Sequence, residues 1–257
     1  MVLPRLYCPS LTLGLVELPR EESHHVLSVL RASPGDEVEL FDGRGAVATG
    51  VLTHVQRKVV QVQVPSVARV PFDSPFQITL AVAMPKLHRQ GFLVEKCTEL
   101  GVAALWPITS KRSVTRPSDG ALEKWSRRAV ESCKQSRRAW IPTIIAAQGI
   151  EVALQQASDF DAIVFTQRQA EAIWADFLTA QEKNSRIFVA VGPEGGWTEN
   201  ELDYAKSKGA LLTSLAPAIL RTETAAIAVC AVAAALGTPH SRRYSDKHQD
   251  EPNRVRP

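Results

Sequence analysis

Arg186-Ile187-Phe188-Val189-Ala190-Val191-Gly192-Pro193-Glu194-Gly195-Gly196-Trp197 is the stretch from which the fold can be read. An apolar run to Val191 reads as a buried strand. Three glycines and a proline then interrupt it ahead of a helical pattern. A second apolar run, Ala210 to Leu215, leads through Ile219-Leu220-Arg221-Thr222-Glu223-Thr224-Ala225 into another helix. Open α/β sheets bind ligands where loops leave the carboxyl ends of strands, so the two loops imply one shared site. Glycines let a ligand approach the backbone, and the following helix offers free N–H groups. The spacing Gly-x-x-Gly-Gly is neither a Walker A loop nor a dinucleotide fingerprint. A tight turn is the competing structural reading. A bare turn, however, has no need of Arg221, Glu223 and two threonines in the second loop.

Outward from these loops, the chain divides near residue 70. Residues 36–64 carry strand-like alternation in three runs, Asp36 to Phe41, Ala46 to Thr53 and Lys58 to Val64, with Asp42-Gly43-Arg44-Gly45 as a hairpin turn. Arg5 to Tyr7 and Thr12 to Leu18 add short β segments, and Ser23 to Leu30 reads as a short helix, together a small barrel. Pro65, Pro71 and Pro75 punctuate a linker. Beyond it, apolar strands at Phe76–Met84, Ala104–Ile108, Phe160–Thr166, 186–191 and 210–215 alternate with helices. Those helices include Gly91 to Leu100, stopped by Gly101, and Asn200 to Lys208, opened by a Thr198–Glu201 capping box. Such alternation implies a mostly parallel α/β sheet. The expected organisation is a barrel over 1–70, an α/β domain over 71–238 and a polar, disordered tail over 239–257.

Composition narrows the classes. Of 257 residues, 45% are hydrophobic and 22% charged, which fits a globular domain with a proper core. No apolar run reaches the roughly 18 residues of a membrane span, and no signal peptide is read, so a cytoplasmic protein without a membrane partner is expected. Cys8, Cys97, Cys133 and Cys230 show no zinc or redox spacing, so no metal is expected and the four thiols read as small buried hydrophobes.

Charge is unevenly placed. Between Lys111 and Arg138 nine basic residues face only three acidic ones, in a chain whose net charge is +3. On a helix, Leu122, Trp125, Ala129 and Cys133 share one face, while Lys124, Arg127, Arg128, Lys134 and Arg138 fall on the other. A solvated face shows the same pattern, but the excess of one sign suits a phosphate backbone.

At Gly-Pro-Glu-Gly-Gly followed by Ile-Leu-Arg-Thr-Glu-Thr-Ala the chain resembles the RsmE family of small-subunit rRNA methyltransferases, in the SPOUT superfamily. The resemblance extends through His24-His25 with Arg31, Lys86, Lys96 to Val102, Arg112-Ser113-Val114, and Trp125 to Arg138 and Pro142, in the family's order. Ala216 and Ala218 depart from it, where the family commonly has Gly and a basic residue. The resemblance implies a SPOUT-type knotted parallel α/β domain preceded by a PUA-like β-barrel. It also implies S-adenosyl-L-methionine (SAM) as cofactor, a homodimer, and 16S rRNA or the 30S subunit as partner. By position the cofactor loops are Gly192, Pro193, Gly195 and Gly196; Leu215, Ile219, Leu220 and Thr222; and a third loop after Thr166. RNA contact is expected from Arg5, Arg31, Lys86, Lys96, Arg112, Arg127, Arg128, Arg137 and Arg138.

The family's reaction is methylation of uridine N3, at position 1498 of 16S rRNA. N3 carries a proton at neutral pH, and its loss leaves a negative charge on O2 and O4. A base, a cation and alignment with the methyl donor therefore help. Arg221 is the expected anion stabiliser, because a guanidinium stays charged and offers several donors. Glu194 and Glu223 are the carboxylates able to accept a proton or orient Arg221, and Glu223 has a second reading as a structural brace. His24 and His25 read as solvated, Lys96 with Glu99 as a helix-surface pair, and Trp125 as core. A non-catalytic rRNA-binding protein with a degenerate α/β domain remains the alternative, distinguished by whether SAM binds.

Overall fold

Alternation in the first third of the chain produces strands that bury every second side chain. Val38 and Leu40 on one, and Val60, Val62 and Val64 on another, close over Leu6, Val26 and Leu52. The computed structural model describes residues 3–56, 59–72, 74–115 and 117–236. The expected tail over 239–257, together with Lys58 and Arg116, lies outside them. The first sheet contains β1 (Arg5–Tyr7), β2 (Gly14–Glu17), β3 (Glu37–Phe41), β4 (Ala46–Gln56), β5 (Val59–Val64) and β6 (Ala68–Arg69). Its order is β1-β3-β4-β5-β2, with β6 on β4, and among the described pairings only β1–β3 is parallel. Helix α1 (Arg20–His25) continues into a π turn, Val26–Leu30, which Arg31 ends at φ 51°. It starts three residues before the expected Ser23. Pro19 presets the entry and Glu21 and Glu22 suit the first turn, signals that an apolar count overlooks.

The second sheet is apolar on both faces. Its strands are β7 (Gln77–Ala83), β8 (Ala104–Thr109), β9 (Thr143–Ile144), β10 (Gln148–Gly149), β11 (Ala162–Thr166), β12 (Ala172–Ile173), β13 (Arg186–Val191) and β14 (Leu211–Ser214). Every described pairing among them is parallel, in the order β10-β8-β7-β13-β11-β14-β12 with β9 on β8. Ile78, Leu80 and Val82 face a cluster shared with α2 (Leu87–Glu99), α3 (Ala121–Ser136), α5 (Trp174–Thr179) and α7 (Thr222–Leu236). Ala81 and Ala83 face the other, with α4 (Ile150–Gln156) and α6 (Glu199–Ser207). Burial on both sides is why these strands read as unbroken apolar runs. Thr198 and Glu201 form the expected capping box, and Gly101, at φ 83°, turns the chain out of α2.

Two side chains of α3 reverse the expected faces. Leu122 is exposed, its place in the core taken by Ala121 beside Trp125 and Ala129. Lys134 is buried, its Nζ 2.9 and 3.1 Å from the two oxygens of Glu22 on α1 and 3.1 Å from Glu131. Burial pushes the Glu22 carboxyl above its ordinary range and Lys134 pulls it back. The two sheets also meet through backbone. Gly45 N–H donates to Ala139 O and Ile141 N–H to Gly43 O. A Cβ on Gly43 would stand 2.5 Å from Ile141, and one on Gly45 2.6 Å from Trp140, so the hairpin turn needs glycine to fit under α3's exit.

A buried pair loses more when one partner is removed than it contributes whole, because the survivor is left charged and dry. Lys134→Met is therefore expected to lower stability to urea by about 3–5 kcal/mol. The double variant Lys134→Met/Glu22→Leu should regain most of that loss. Equal losses in both would show that the pair is not the junction's buried charge.

Candidate active site

Neighbouring strands β13, β11 and β14 end side by side, so the loops after Val191, Thr166 and Ser214 leave from one edge of the sheet. They enclose a cleft of about 390 Å³. Hydrogen bonds tie the loops together. The indole of Trp197 donates to Thr166 O at 3.1 Å, Thr222 Oγ1 donates to Gly192 O at 3.1 Å, and Thr166 Oγ1 donates to Ala190 O at 3.2 Å. Trp197 is buried against Phe165, ring centroids 4.8 Å apart. It lies so close to Gly192 that a Cβ there would stand 3.0 Å from the indole.

The glycine loop turns through Gly196 N–H to Pro193 O at 2.8 Å, with Gly196 at φ 69°. Arg112, from the loop after β8, braces it: its Nη1 donates to Gly195 O at 2.9 Å and Trp197 O at 3.2 Å. Lys111 N–H donates to Glu201 Oε1 at 2.8 Å. Burial would raise the Glu201 carboxyl, but this bond, that from Thr198 and the nearby Arg112 charge outweigh it and hold it below its ordinary range.

All nine residues expected to hold the cofactor line this cleft: Thr166, Gly192, Pro193, Gly195, Gly196, Leu215, Ile219, Leu220 and Thr222. Glu194 lines it too, exposed. Gln167 is an addition. Its Oε1 is buried without a hydrogen-bond partner, and the side chain lines the cleft. Ala216 and Ala218, the two departures from the family pattern, also lie on its wall. Arg221 stands next door, in a cavity of about 590 Å³ that shares Ile219 and Leu220 with the cleft. Its side chain is exposed and has no hydrogen-bond or ionic partner among the described residues. Glu223 does not orient it. That carboxylate is buried and accepts from Arg89 Nη1 at 2.7 Å.

The nine cations expected to touch RNA divide by environment. Arg31, Lys86, Arg127 and Arg128 are exposed, as is Lys124. Arg127 lies 3.4 Å from Glu123 and Arg128 3.3 Å from Glu95, and Lys96 bridges Glu95 and Glu99, each at 2.9 Å. Arg5 is buried, donating to Glu39 at 2.8 Å and to the carbonyls of Arg137 and Arg138 at 2.9 and 3.0 Å. Arg137 is paired with the same Glu39 and donates to Leu3 O at 3.0 Å. Arg138 packs over Gly101, where a Cβ would stand 2.5 Å from its guanidinium. Arg5, Arg137 and the backbone carbonyl of Arg138 thus serve the contact between the two sheets, the Arg138 side chain lies on the turn after α2, and Arg112 serves the glycine loop. Besides Gln167, two residues of the site escaped sequence reading. Trp197 was visible only as the aromatic after a glycine pair, and Arg89 carries no local signal because its partner lies 134 positions away.

Residues 72–234 match the family model of an RNA methyltransferase domain, and residues 18–64 that of an RNA methyltransferase PUA domain. The chain is 31% identical over 212 residues to ribosomal RNA small subunit methyltransferase E of Synechocystis sp., covering 82% of this chain and 69% of that one. It is 30% identical over 214 residues to the protein of the same name from Bacillus subtilis, covering 80% and 84%. The crystal structure of ribosomal RNA small subunit methyltransferase E from Neisseria gonorrhoeae bound to S-adenosyl methionine matches with a TM-score of 0.83 and 31% identity. That match covers 91% of this chain and 98% of the other. With both sheets and the whole run from barrel to glycine loops accounted for, the chain belongs to the ribosomal RNA small subunit methyltransferase E family.

Proposed function

We propose that the protein transfers a methyl group from SAM to N3 of a uridine in 16S rRNA of the small ribosomal subunit, acting in the cytoplasm as a homodimer. The observation that carries this reading is the convergence of all nine cofactor residues, from loops on three adjacent strands, on one cleft. Its volume falls in the roughly 300–1,000 Å³ range of small-molecule sites. A Cβ on Gly192 would press on Trp197 and one on Gly195 on Arg112, so glycine at both positions lets these two side chains brace the loop at close range. The orphan Gln167 Oε1 is an acceptor suited to an amino or hydroxyl group of an adenosine. When bound, SAM supplies an electrophilic methyl group carried on a sulfonium.

The chain's own residues supply the rest. Arg221, which lines the neighbouring cavity with Ile219 and Leu220, supplies the cation that neutralises the charge N3 deprotonation spreads onto O2 and O4. Glu194 contributes the cleft's exposed carboxylate, in the orienting role. Lys124, Arg127 and Arg128 offer phosphate contacts along α3. Phe92 and Ile219, apolar and largely exposed around Arg221, suit a subunit interface that completes the site. The knot implied by the family resemblance belongs to the same reading, in the loops at 192–196 and 215–222 and the one after Thr166. A degenerate rRNA-binding relic would have no reason to hold an unpartnered arginine beside a formed glycine cleft.

Two variants separate the roles. Gly195→Val should stay folded and lose SAM binding in calorimetric titration, because the new side chain displaces Arg112 or fills the cleft. Arg221→Ala should bind SAM as wild type yet lose about 3–4 kcal/mol of transition-state stabilisation in methyl transfer. Retained affinity in Gly195→Val would reduce the loop to a turn.

Charge reversal at Lys124, Arg127 and Arg128 together should weaken rRNA binding and flatten the slope of log affinity against log salt by about two to three, leaving SAM affinity unaltered. An unaltered slope would move the RNA footprint off α3.

A further inference from the structure

The cavity beside the cofactor cleft takes its charged lining from His88 and Arg89 on α2 and from Arg221 and Glu223 where α7 begins. Glu223 is only 7% exposed. Its Oε1 is bound by Arg89, while its Oε2 is buried with no hydrogen-bond partner. A buried carboxylate oxygen left unanswered is destabilising, so a native site holding one points to a donor that arrives with a ligand. Arg89 is fixed from two sides, Nη1 on Glu223 at 2.7 Å and Nε on His88 Nε2 at 3.2 Å. Its Nη2 has no partner among the described residues.

A single buried acceptor beside guanidiniums with spare donors matches the edge of an imide, an N–H flanked by two carbonyls. Resting on the reading above, we propose that this cavity takes the target uracil, with Glu223 as the acceptor of its N3 proton and Arg89 as a second cation beside Arg221. The N3–H bond breaks, the proton passes to Glu223 Oε2, and the electron pair stays on N3. The resulting charge lies on O2 and O4, to which Arg89 and Arg221 donate. Cytosine is refused by the same groups, because its N3 is a lone pair that would face the carboxylate, acceptor against acceptor.

The test uses the full chain, SAM, and 30S subunits from cells lacking the protein. Glu223→Gln should bind SAM within twofold of wild type, since Glu223 lies outside the cofactor cleft. Its methyl transfer at pH 7 should fall about 10²–10⁴-fold, with part regained in Glu223→Asp. The deficit should shrink as pH rises, because solvent then removes the imide proton. The other charged and ionisable groups of the lining are Arg89, Arg221 and His88, and the comparison runs only from pH 7 upward. Independently of turnover, wild type with S-adenosylhomocysteine should prefer these subunits over subunits whose target uridine is changed to cytidine, and Glu223→Gln should lose that preference. A pH-independent deficit, a parallel loss of SAM affinity, or an intact preference in Glu223→Gln would make Glu223 a brace and overturn the assignment. Absence of transfer by wild type itself would overturn the uridine reading beneath it, and this assignment with it.

Discussion

One hydrogen bond organises the ligand end of this molecule: the Trp197 indole reaching back to the carbonyl of Thr166. It ties the loop after β13 to the loop after β11 across the boundary between two strands. The bulk of the same indole sets how near Gly192 can come. Thr222 closes the circuit from the third loop onto Gly192 O. With three loops fastened by buried donors, the cleft between them is fixed before any ligand arrives, and preorganisation of this kind reduces the cost of binding. The buried strands underneath supply the rigidity. Phe165, Val189 and Ala190 have no exposed surface, so the strand ends that launch these loops have little freedom to move.

A second constraint acts on charge. The excess of basic residues between Lys111 and Arg138 is not one RNA-binding surface but several devices that happen to share a sign. Lys134 neutralises Glu22 inside the junction of the two sheets, Arg137 joins Arg5 on Glu39, and Arg112 spans the glycine loop. What remains for a phosphate backbone among the described residues of this stretch is Lys111 and the outer face of α3. This division has a mechanical consequence. The barrel is held against α3 by buried ionic and backbone contacts, so the outer face of α3 and the cofactor cleft stand in a fixed relation to the N-terminal sheet.

Much of this was legible in the sequence, for identifiable reasons. Strands buried on both faces leave unbroken apolar runs, so β7, β8, β11, β13 and β14 were found within a residue or two of their ends. A glycine loop on a strand end is equally plain, and every residue assigned to the cofactor loops lines the same cleft. What the sequence hid was long-range. Helical periodicity places Lys134 on a polar face and has no means of showing that Glu22, 112 positions earlier, will bury it. Leu122 and Ala121 compete for one position in the core, and only packing decides between them. Helix α2 starts four residues earlier than expected, because polar His88, Arg89 and Gln90 carry no apolar signal although Gln90 is buried. That unmarked first turn is what brings Arg89 to Glu223.

The central claim is that these loops and the arginine beside them modify N3 of a uridine in 16S rRNA. Nucleoside mass spectrometry of 16S rRNA from cells with and without the gene tests it most directly. The account predicts N3-methyluridine in the first and none in the second, restored by the wild-type gene. N3-methyluridine undiminished in the cells that lack the gene would contradict it.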